Sequence, residues 1–434
     1  MMLRFVILLL ALVVLPAQAA PEIQHWETDN GLRVYFVPAP ELDMVDIRLV
    51  FDAGSARDGE QPGIAQMTNA LLDSGAGSWD ADTIAERFES VGAQFGAGAL
   101  RDMAWVSLRS LTDPEWFEPA FSTFIKVVEA PRFPARDFKR ARKQAFVALR
   151  QQAQDPGEIA SKAFYEALYG DHPYASPTIG TEESLKALQR DDLVAFHQRY
   201  YVARNGVLAL VGNLDRLQAE ALAERIAAGL PTGEAAPDLP PVPELTEGRT
   251  ITIPFPSEQA HVFMGQPGMQ RGDDDYFALY FGNHVLGGSG FTSRLMKEVR
   301  VKRGLSYSVY SYFLPMAENG PFLMGLQTRT DQAGEAVDVA RETIAGFVAE
   351  GPTRDEYRAS LANITGGFPL RVASNSDIVQ YLSMIGFYGL PLDYLDRFNA
   401  RVEAVSLEDI KDAFQRRVDT ERMITVIVGG PEAG

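Results

Sequence analysis

A short predicted helix between Gly63 and Gly75 carries three side chains at a spacing that proteins use for metal chemistry. At about 100° per residue, Gln66, Asn69 and Ala70 fall on one face of this helix. The opposite face is apolar and is predicted to be buried; it contains Ile64, Met67 and Leu71. In the H-x-x-E-H motif, the same spacing places two imidazoles on a zinc ion and a carboxylate beside the bound water. Two amides and a methyl group cannot perform that chemistry, and their face is not expected to belong to the core.

The sequence around this helix resembles the pitrilysin-type zinc metallopeptidases, the inverzincin family that includes the mitochondrial processing peptidases. The resemblance is carried by residues 54–76, GSARDGEQPGIAQMTNALLDSGA. In this comparison, Gln66 stands at the first His of the motif, Asn69 at the Glu and Ala70 at the second His. The resemblance therefore implies that the helix is present and that its zinc motif is degenerate.

The remaining ligands of a zinc site are also missing. The resemblance places the third ligand of the family, a Glu, on a later helix, and the corresponding residues 143–150 contain no acidic side chain. A catalytic zinc ion needs about three protein ligands and an open position. The histidines are scattered, without a pair at i and i+4: His25, His172, His197, His261 and His284. We expect this chain to bind no metal and no other cofactor of its own.

A second constellation lies in the C-terminal half, over residues 290–313. This segment resembles the part of the family's C-terminal domain that carries an Arg and a Tyr, here Arg300 and Tyr307. The resemblance implies that both side chains donate hydrogen bonds to the carbonyl region of a peptide held at zinc. Donors fixed where negative charge develops form an oxyanion hole. The alternative is an ordinary helix-to-strand junction with a surface Arg and a core Tyr.

Two glycine-rich segments have simpler explanations. Residues 287–290 lack the Gly-Lys-Ser/Thr ending of a phosphate-binding loop, and we interpret them as a tight turn before a helix over Thr292–Val299. Residues 92–98 match the family's edge strand, on which a peptide can add as an extra strand. A purely structural strand explains these glycines at least as well.

The first 19 residues have the pattern of a secretory signal peptide. Arg4 precedes an apolar run over residues 5–15, and Ala17-Gln18-Ala19 has the small residues of a cleavage site. The run is about half of the ~20 residues that span a bilayer, which disfavours an anchoring helix. We therefore expect a periplasmic protein without a stable membrane anchor after cleavage.

The composition narrows the possible partners and sites. The chain of 434 residues has a net charge of -18 and no evident basic stripe, which argues against nucleic acid or an anionic membrane as a partner. It contains no cysteine, so disulfides, thiolate metal sites and cysteine nucleophiles are excluded. Apolar residues make up 46% and charged residues 23%, as in ordinary globular domains.

Apolar periodicity and an internal repeat predict the architecture. Strands are predicted over residues 32–37, 45–51, 94–100, 103–111 and 207–212, and helices over 83–91, 114–128, 138–154 and 191–200. The segment Asp191–Asn213 is echoed by Glu408–Gly430. We predict an α+β fold of two homologous domains, 21–232 and 249–434, joined by a Pro-rich linker over 233–248. Each domain is expected to be a largely antiparallel sheet covered by helices.

One functional hypothesis combines these observations with the resemblance. In the bacterial branch of the family, the resemblance implies chains of this size that pair into a clamshell, one with the zinc motif and the other with the Arg–Tyr pair. This chain fits the second role. We expect a non-catalytic subunit of a heterodimeric periplasmic zinc metalloendopeptidase. Arg300 and Tyr307 then act in trans on peptide substrates, while a paralogous partner supplies zinc and the general base.

Two alternatives stay open. The first is a catalytically dead peptide-binding or scaffolding protein with the same fold, which would bind peptides without a partner. The second is an active hydrolase with a site that the sequence does not disclose. Equilibrium peptide binding by the isolated chain tests the first, and metal analysis with a general protease assay on the pure protein tests the second.

Overall fold

The computed structural model describes residues 22–430. The predicted signal peptide, residues 1–19, lies outside the described residues. Among the helices of the described part, none combines the length and the apolar composition that crossing a bilayer requires.

The strands form two principal sheets and one small two-stranded ribbon, which β4 and β5 make. In chain order they are β1 (Gln24–Glu27), β2 (Arg33–Pro38), β3 (Met44–Phe51), β4 (Gly75–Ala76), β5 (Trp79–Asp80), β6 (Gln94–Ala99), β7 (Ala104–Leu111), β8 (Gly206–Gly212), β9 (Arg249–Ile253), β10 (Gln259–Met269), β11 (Ser308–Phe313), β12 (Gly320–Arg329) and β13 (Ile424–Val428).

The first sheet has the strand order β1-β2-β8-β3-β7-β6, and only the β2–β8 pair is parallel. Its centre is β3, where Ile47 lies opposite Leu108 on one side and Leu210 on the other. These three side chains are buried in one core, as period-2 alternation requires of a strand with one face on a core.

The second sheet repeats this arrangement with five strands in the order β9-β13-β10-β12-β11. Here too one pair is parallel, β13 with β9, and the other pairs are antiparallel. The central strand β10 places Phe263 opposite Gly325 and Val426. The predicted α+β fold of largely antiparallel sheets covered by helices is confirmed.

The α-helices lie on and around these sheets. They are α1 (Ile64–Asn69), α2 (Ala81–Glu89), α3 (Pro114–Glu129), α4 (Ala135–Gln152), α5 (Pro156–Tyr169), α6 (Glu182–Ala187), α7 (Arg190–Tyr200), α8 (Arg216–Ala228), α9 (Tyr276–Asn283), α10 (Ala333–Glu350), α11 (Arg354–Gly367), α12 (Asn375–Tyr388), α13 (Tyr394–Ala404) and α14 (Leu407–Arg417).

The sequence repeat corresponds to one structural unit that occurs twice. The first copy is α7 followed by β8, and the second is α14 followed by β13. In both helices an Asp at the third position accepts from the N–H of the cap residue, and both strands lie inside their sheet next to its parallel partner. Between α8 and β9 the chain has neither helix nor strand. The domain boundaries at residues 232 and 249 stay a prediction.

Each half contributes a helix that packs on the sheet of the other half. Helix α12 packs on β2, β3 and β8, and α5 packs on β10 and β13. The contact of α12 is close at Gly386, where a Cβ atom would lie 2.5 Å from Val207 and 2.6 Å from the ring of Tyr35. At the other contact, Phe164 of α5 lies edge-on to Phe263. The two sheets are therefore joined by exchanged helices as well as by the connecting segment.

Two predicted helices differ from the structure. The helix predicted over residues 63–75 ends at Asn69 and is followed by a 3-10 turn at Leu72–Ser74. Leu71 leaves the helical region with φ -114° and ψ 5°, and both Leu71 and Leu72 are buried in the core. The helix predicted over Thr292–Val299 is largely a π-helical segment, Met296–Val301.

Candidate functional site

Helix α1, which carries the degenerate motif, is fixed at its N-terminus by a buried carboxylate. Asp58 accepts hydrogen bonds from the backbone N–H groups of Gly63, at 2.7 Å, and Ala65, at 3.0 Å. Burial raises the pKa of Asp58 to about 7, although both N–H groups oppose that rise. Gly63 has φ 93°, and a Cβ atom there would lie 2.7 Å from the carbonyl oxygen of Ile179. Only glycine fits this start of the helix.

The three motif positions do not share one environment. Gln66 is half-buried, Ala70 is exposed, and Asn69 is 2% exposed. The Nδ2 atom of Asn69 donates to the carbonyl oxygen of Trp105, at 3.2 Å, and to the hydroxyl of Tyr201, at 3.3 Å. The expectation that this face lies outside the core is therefore wrong for Asn69. The predicted apolar face is confirmed, because Ile64, Met67 and Leu71 are all buried.

One partner of Asn69, Tyr201, belongs to a buried stack of rings. Tyr201 stacks on His197 with a centroid distance of 4.8 Å, and the Nε2 atom of His197 lies 2.9 Å from the carbonyl oxygen of Val128. Since a carbonyl can only accept, the Nε2 atom of His197 carries a proton. Burial lowers the pKa of His197 to about 4 and raises the pKa of Tyr201. Where the family has a general base, this chain has an amide fixed within a neutral, buried network.

We expect the imidazole of His197 to titrate near pH 4, well below its usual 6.5. As the pH falls from 6.5, the unfolded chain takes up this proton before the folded chain does. The free energy of unfolding should therefore fall by roughly 3 kcal/mol between pH 6.5 and 4 on account of this residue. Histidine-resolved NMR titration measures the pKa directly.

The matched variant for this prediction is His197→Gln, which keeps an N–H donor and does not titrate. Its unfolding free energy should depend less on pH between 4 and 6.5 than that of the natural chain. The comparison is needed because Asp58, with its raised pKa, stabilises the folded chain as the pH falls in this range. A normal pKa for His197 would contradict the prediction.

The residues present do not fit a zinc ion. Ala70 offers no ligand atom, and the amide of Asn69, whose Nδ2 atom donates to two protein partners, is not among the side chains that usually bind zinc. Helix α4 contains the region of the family's third ligand, and its exposed face carries Arg136, Lys139 and Lys143. In the part of the chain that the structure describes, no three His, Asp or Glu side chains come together as a metal site. The row of basic residues on α4 also corrects the expectation that the chain has no basic stripe.

Arg300 and Tyr307 lie on either side of a tight connection into β11. Arg300 is part of the π-helical segment, and its carbonyl oxygen accepts from the N–H of Gly304, which has φ +66°. The next residues are held in place, because Ser306 Oγ donates to the carbonyl oxygen of Gln327 at 2.7 Å. Tyr307 follows and is 80% exposed. The alternative reading of Tyr307 as a core residue is therefore wrong.

The side chains of Arg300 and Tyr307 have few contacts with the rest of the C-terminal half. The guanidinium carbon of Arg300 lies 4.8 Å from the ring centroid of Phe291, which is itself exposed. The nearby carboxylate of Glu298 is paired with Lys302 and Arg303 instead. Within residues 22–430, no side-chain hydrogen bond or ion pair of Arg300 or Tyr307 occurs. Both groups are therefore available as donors to a molecule outside the chain.

The two sheets expose equivalent edges. Among the described strands, β6 pairs only with β7, and β11 pairs only with β12. An edge strand presents unpaired N–H and C=O groups to which another chain can bind. Strand β11 starts directly after Tyr307, so the second edge lies beside the Arg–Tyr pair, whereas β6 contains Gly96 and Gly98.

Sequence reasoning missed the residues that fix α1. The Asp-Gly-Glu-Gln-Pro-Gly stretch does contain a signal for Asp58, since an Asp before a helix is a common cap. Nothing in the local sequence indicates Tyr201, which lies 132 residues from Asn69.

Comparison with known proteins finds the same family in both halves of the chain. Residues 33–182 match the model of the insulinase family, peptidase family M16, and residues 187–364 match the model of the peptidase M16 inactive domain. A peptidase M16 inactive domain from Pseudomonas fluorescens, solved by crystallography, is 41% identical. The match covers 95% of this chain and 98% of that one, with a TM-score of 0.92.

More distant relatives cover most of the chain as well. A Helicobacter pylori protein named a non-peptidase homolog is 26% identical over 98% of both chains. An uncharacterized zinc protease of Mycobacterium leprae is 28% identical over 82% of this chain and 80% of its own length. The crystal structure of a protease from Helicobacter pylori is 18% identical, with a TM-score of 0.87 over 94% of this chain and 99% of that chain. This last likeness shows a common fold.

Proposed function

This chain belongs to peptidase family M16, and from that membership we propose that it is a non-catalytic subunit of a heterodimeric, periplasmic zinc metalloendopeptidase. The family predicted from residues 54–76 is thereby confirmed. One contrast carries the proposal. The zinc positions Gln66, Asn69 and Ala70 have lost their ligands, while Arg300 and Tyr307 are intact and have no partners among the described side chains.

The proposed role of Arg300 and Tyr307 is to bind the substrate carbonyl in trans. A guanidinium stays charged and can donate two parallel hydrogen bonds, and a phenol donates one. Such fixed donors stabilise the negative charge that develops on a carbonyl oxygen during hydrolysis. Phe291 supports this role by restricting the guanidinium through a cation–π contact. The zinc ion and the general base are assigned to the partner, because the motif positions of this chain hold Gln66, Asn69 and Ala70 instead.

The proposed assembly is a clamshell in which this chain forms one half. A paralogous chain with an intact H-x-x-E-H motif forms the other half, and peptides enter the space between them. The predicted signal peptide, with cleavage near Ala19, supports a periplasmic location for the proposed pair. The domains of this chain are proposed to be residues 21–232 and 249–434, with residues 233–248 as their linker.

Co-expression with the paralogous chain from the same genome tests this assembly. The two chains are expected to co-purify through an interface of ~2,000 Å² or more, and only the pair should cleave peptides. A variant of the partner without its motif Glu is the control, since it should assemble without activity. Full peptidase activity of the partner alone would contradict the proposal.

The second candidate, a peptide-binding protein without catalysis, is favoured by the surface beside β6. A Cβ atom at Gly98 would lie 2.8 Å from the ring of Trp105, so this ring lies over the edge strand. The guanidinium of Arg48 lies 4.0 Å from the centroid of that ring, and burial lowers its pKa to about 10. A peptide paired with β6 would lie next to the ring of Trp105. Binding of unstructured peptides by the isolated chain, weakened in Trp105→Ala, would favour this function.

A further inference from the structure

A polar cavity of about 270 Å³ lies where the first half, the segment after α8 and the second half meet. Ala235 and Ala236 line it from the connecting segment, and Tyr388 lines it from the end of α12. Its charged lining residues are Arg33, Asp52, Arg57, Asp102, Arg204 and Arg271. Four guanidinium groups thus face two carboxyl groups in a chain whose overall net charge is -18.

Both carboxyl groups are already engaged. Asp52 accepts two hydrogen bonds from Arg57, each of 2.6 Å, in a bidentate pair. Asp102 accepts from the hydroxyls of Tyr174, at 2.6 Å, and Tyr388, at 2.8 Å, and from the N–H of Ala317, at 2.8 Å. Asp52 is therefore committed to Arg57, and the oxygens of Asp102 accept from neutral donors rather than from the other three arginines.

Those three arginines have few acceptors of their own. Arg271 lies against the rings of Tyr388, at 5.5 Å, and Tyr276, at 5.8 Å, and its Nε atom is buried without a hydrogen-bond partner among the described residues. Arg33 donates once, to the carbonyl oxygen of Gly386 at 3.1 Å. For Arg204, residues 22–430 provide no side-chain hydrogen bond or ion pair. A buried donor without an acceptor costs free energy that a bound anion would recover.

We propose that this cavity binds a small oxyanion with two negative charges, of the size of inorganic phosphate. Guanidinium groups recognise phosphate and carboxylate oxygens through paired N–H donors. A volume of about 270 Å³ admits such an ion with a few waters and is below the range of pockets for drug-sized ligands. The ion would contact the first half through Arg204 and the second half through Arg271. It would therefore stabilise the junction of the halves, whether or not the chain has a peptidase partner.

Calorimetric titration of the full-length mature chain with inorganic phosphate, in a chloride buffer, tests the proposal. Saturable binding with one ion per chain is expected, together with a higher thermal midpoint. Arg271→Met keeps the side-chain stem and removes the donors, so phosphate affinity should fall by ~10–100-fold. Arg397→Met is the matched control, because Arg397 is an exposed residue of α13 that pairs with Asp393 outside the cavity. Its affinity for phosphate should be unchanged.

A second variant is needed in case Arg271→Met does not fold. Arg204 is exposed at the cavity, so Arg204→Met should fold normally and should also weaken phosphate binding at least tenfold. Malonate, a dicarboxylate, should compete with phosphate if paired N–H donors carry the recognition. Absence of saturable phosphate binding by the natural chain would overturn the proposal. Equal affinities in the natural chain, Arg271→Met and Arg204→Met would overturn it as well.

Discussion

Replacement of Tyr307 by phenylalanine is expected to lower the turnover of the proposed heterodimer by ~10²–10³, the usual effect of removing one oxyanion donor. The substitution removes a single O–H group. Because the side chain is 80% exposed and its hydroxyl makes no hydrogen bond within the described part of the chain, folding and assembly should not change. Steady-state hydrolysis of a peptide by the purified pair measures turnover, and thermal unfolding of the isolated subunit checks its stability.

The matched control variant for this experiment is Tyr310→Phe. Tyr310 lies three residues further along the same edge, in β11, and stacks on Tyr312 with parallel rings. It undergoes the same chemical change without belonging to the proposed pair, so turnover should stay within about twofold of the natural value. Arg300→Lys retains the charge but loses the paired donors, and a loss of the same order as in Tyr307→Phe is expected. Unchanged turnover in both Tyr307→Phe and Arg300→Lys would contradict the role in trans.

The α+β class and the principal strands of the first sheet could be predicted because they depend on local periodicity. The run over residues 45–51 alternates strictly enough to identify β3, and the repeat of residues 191–213 at 408–430 indicates a duplicated unit. The apolar face of α1 followed in the same way from the spacing of its residues. These features need no knowledge of which distant segments touch.

The environment of the candidate site could not be predicted because distant contacts determine it. Asn69 is buried since Trp105 and Tyr201 supply its acceptors, and these residues lie 36 and 132 positions away. The exchanged helices α5 and α12 share the sequence character of other amphipathic helices, so nothing local assigns them to the opposite sheet. The cavity at the junction depends on that exchange, since Tyr388 at the end of α12 forms part of its wall.

Restoration of the zinc motif is the other substitution with a large expected effect. The triple variant Gln66→His, Asn69→Glu, Ala70→His should retain no stoichiometric zinc after dialysis and should show no peptidase activity alone. The third zinc ligand would still be missing from this variant, because residues 143–150 on α4 carry no carboxylate. Elemental analysis and a peptidase assay on the isolated variant measure both outcomes.

The triple variant should also be less stable, and Asn69→Glu accounts for most of the loss. A longer carboxylate at this 2%-exposed position would replace an N–H donor that now bonds to the carbonyl oxygen of Trp105. Two oxygens would then face each other in a buried site, at a cost of about 3 kcal/mol or more in the free energy of unfolding. The double variant Gln66→His, Ala70→His leaves Asn69 intact and changes a half-buried and an exposed position, so it should unfold within about 1 kcal/mol of the natural chain. If the triple variant were as stable as the double variant and held one zinc ion per chain, α1 would have lost only its ligands. The predicted instability instead implies that the core around Asn69 is adapted to an amide. Restoring the carboxylate of the zinc motif would then destabilise the fold.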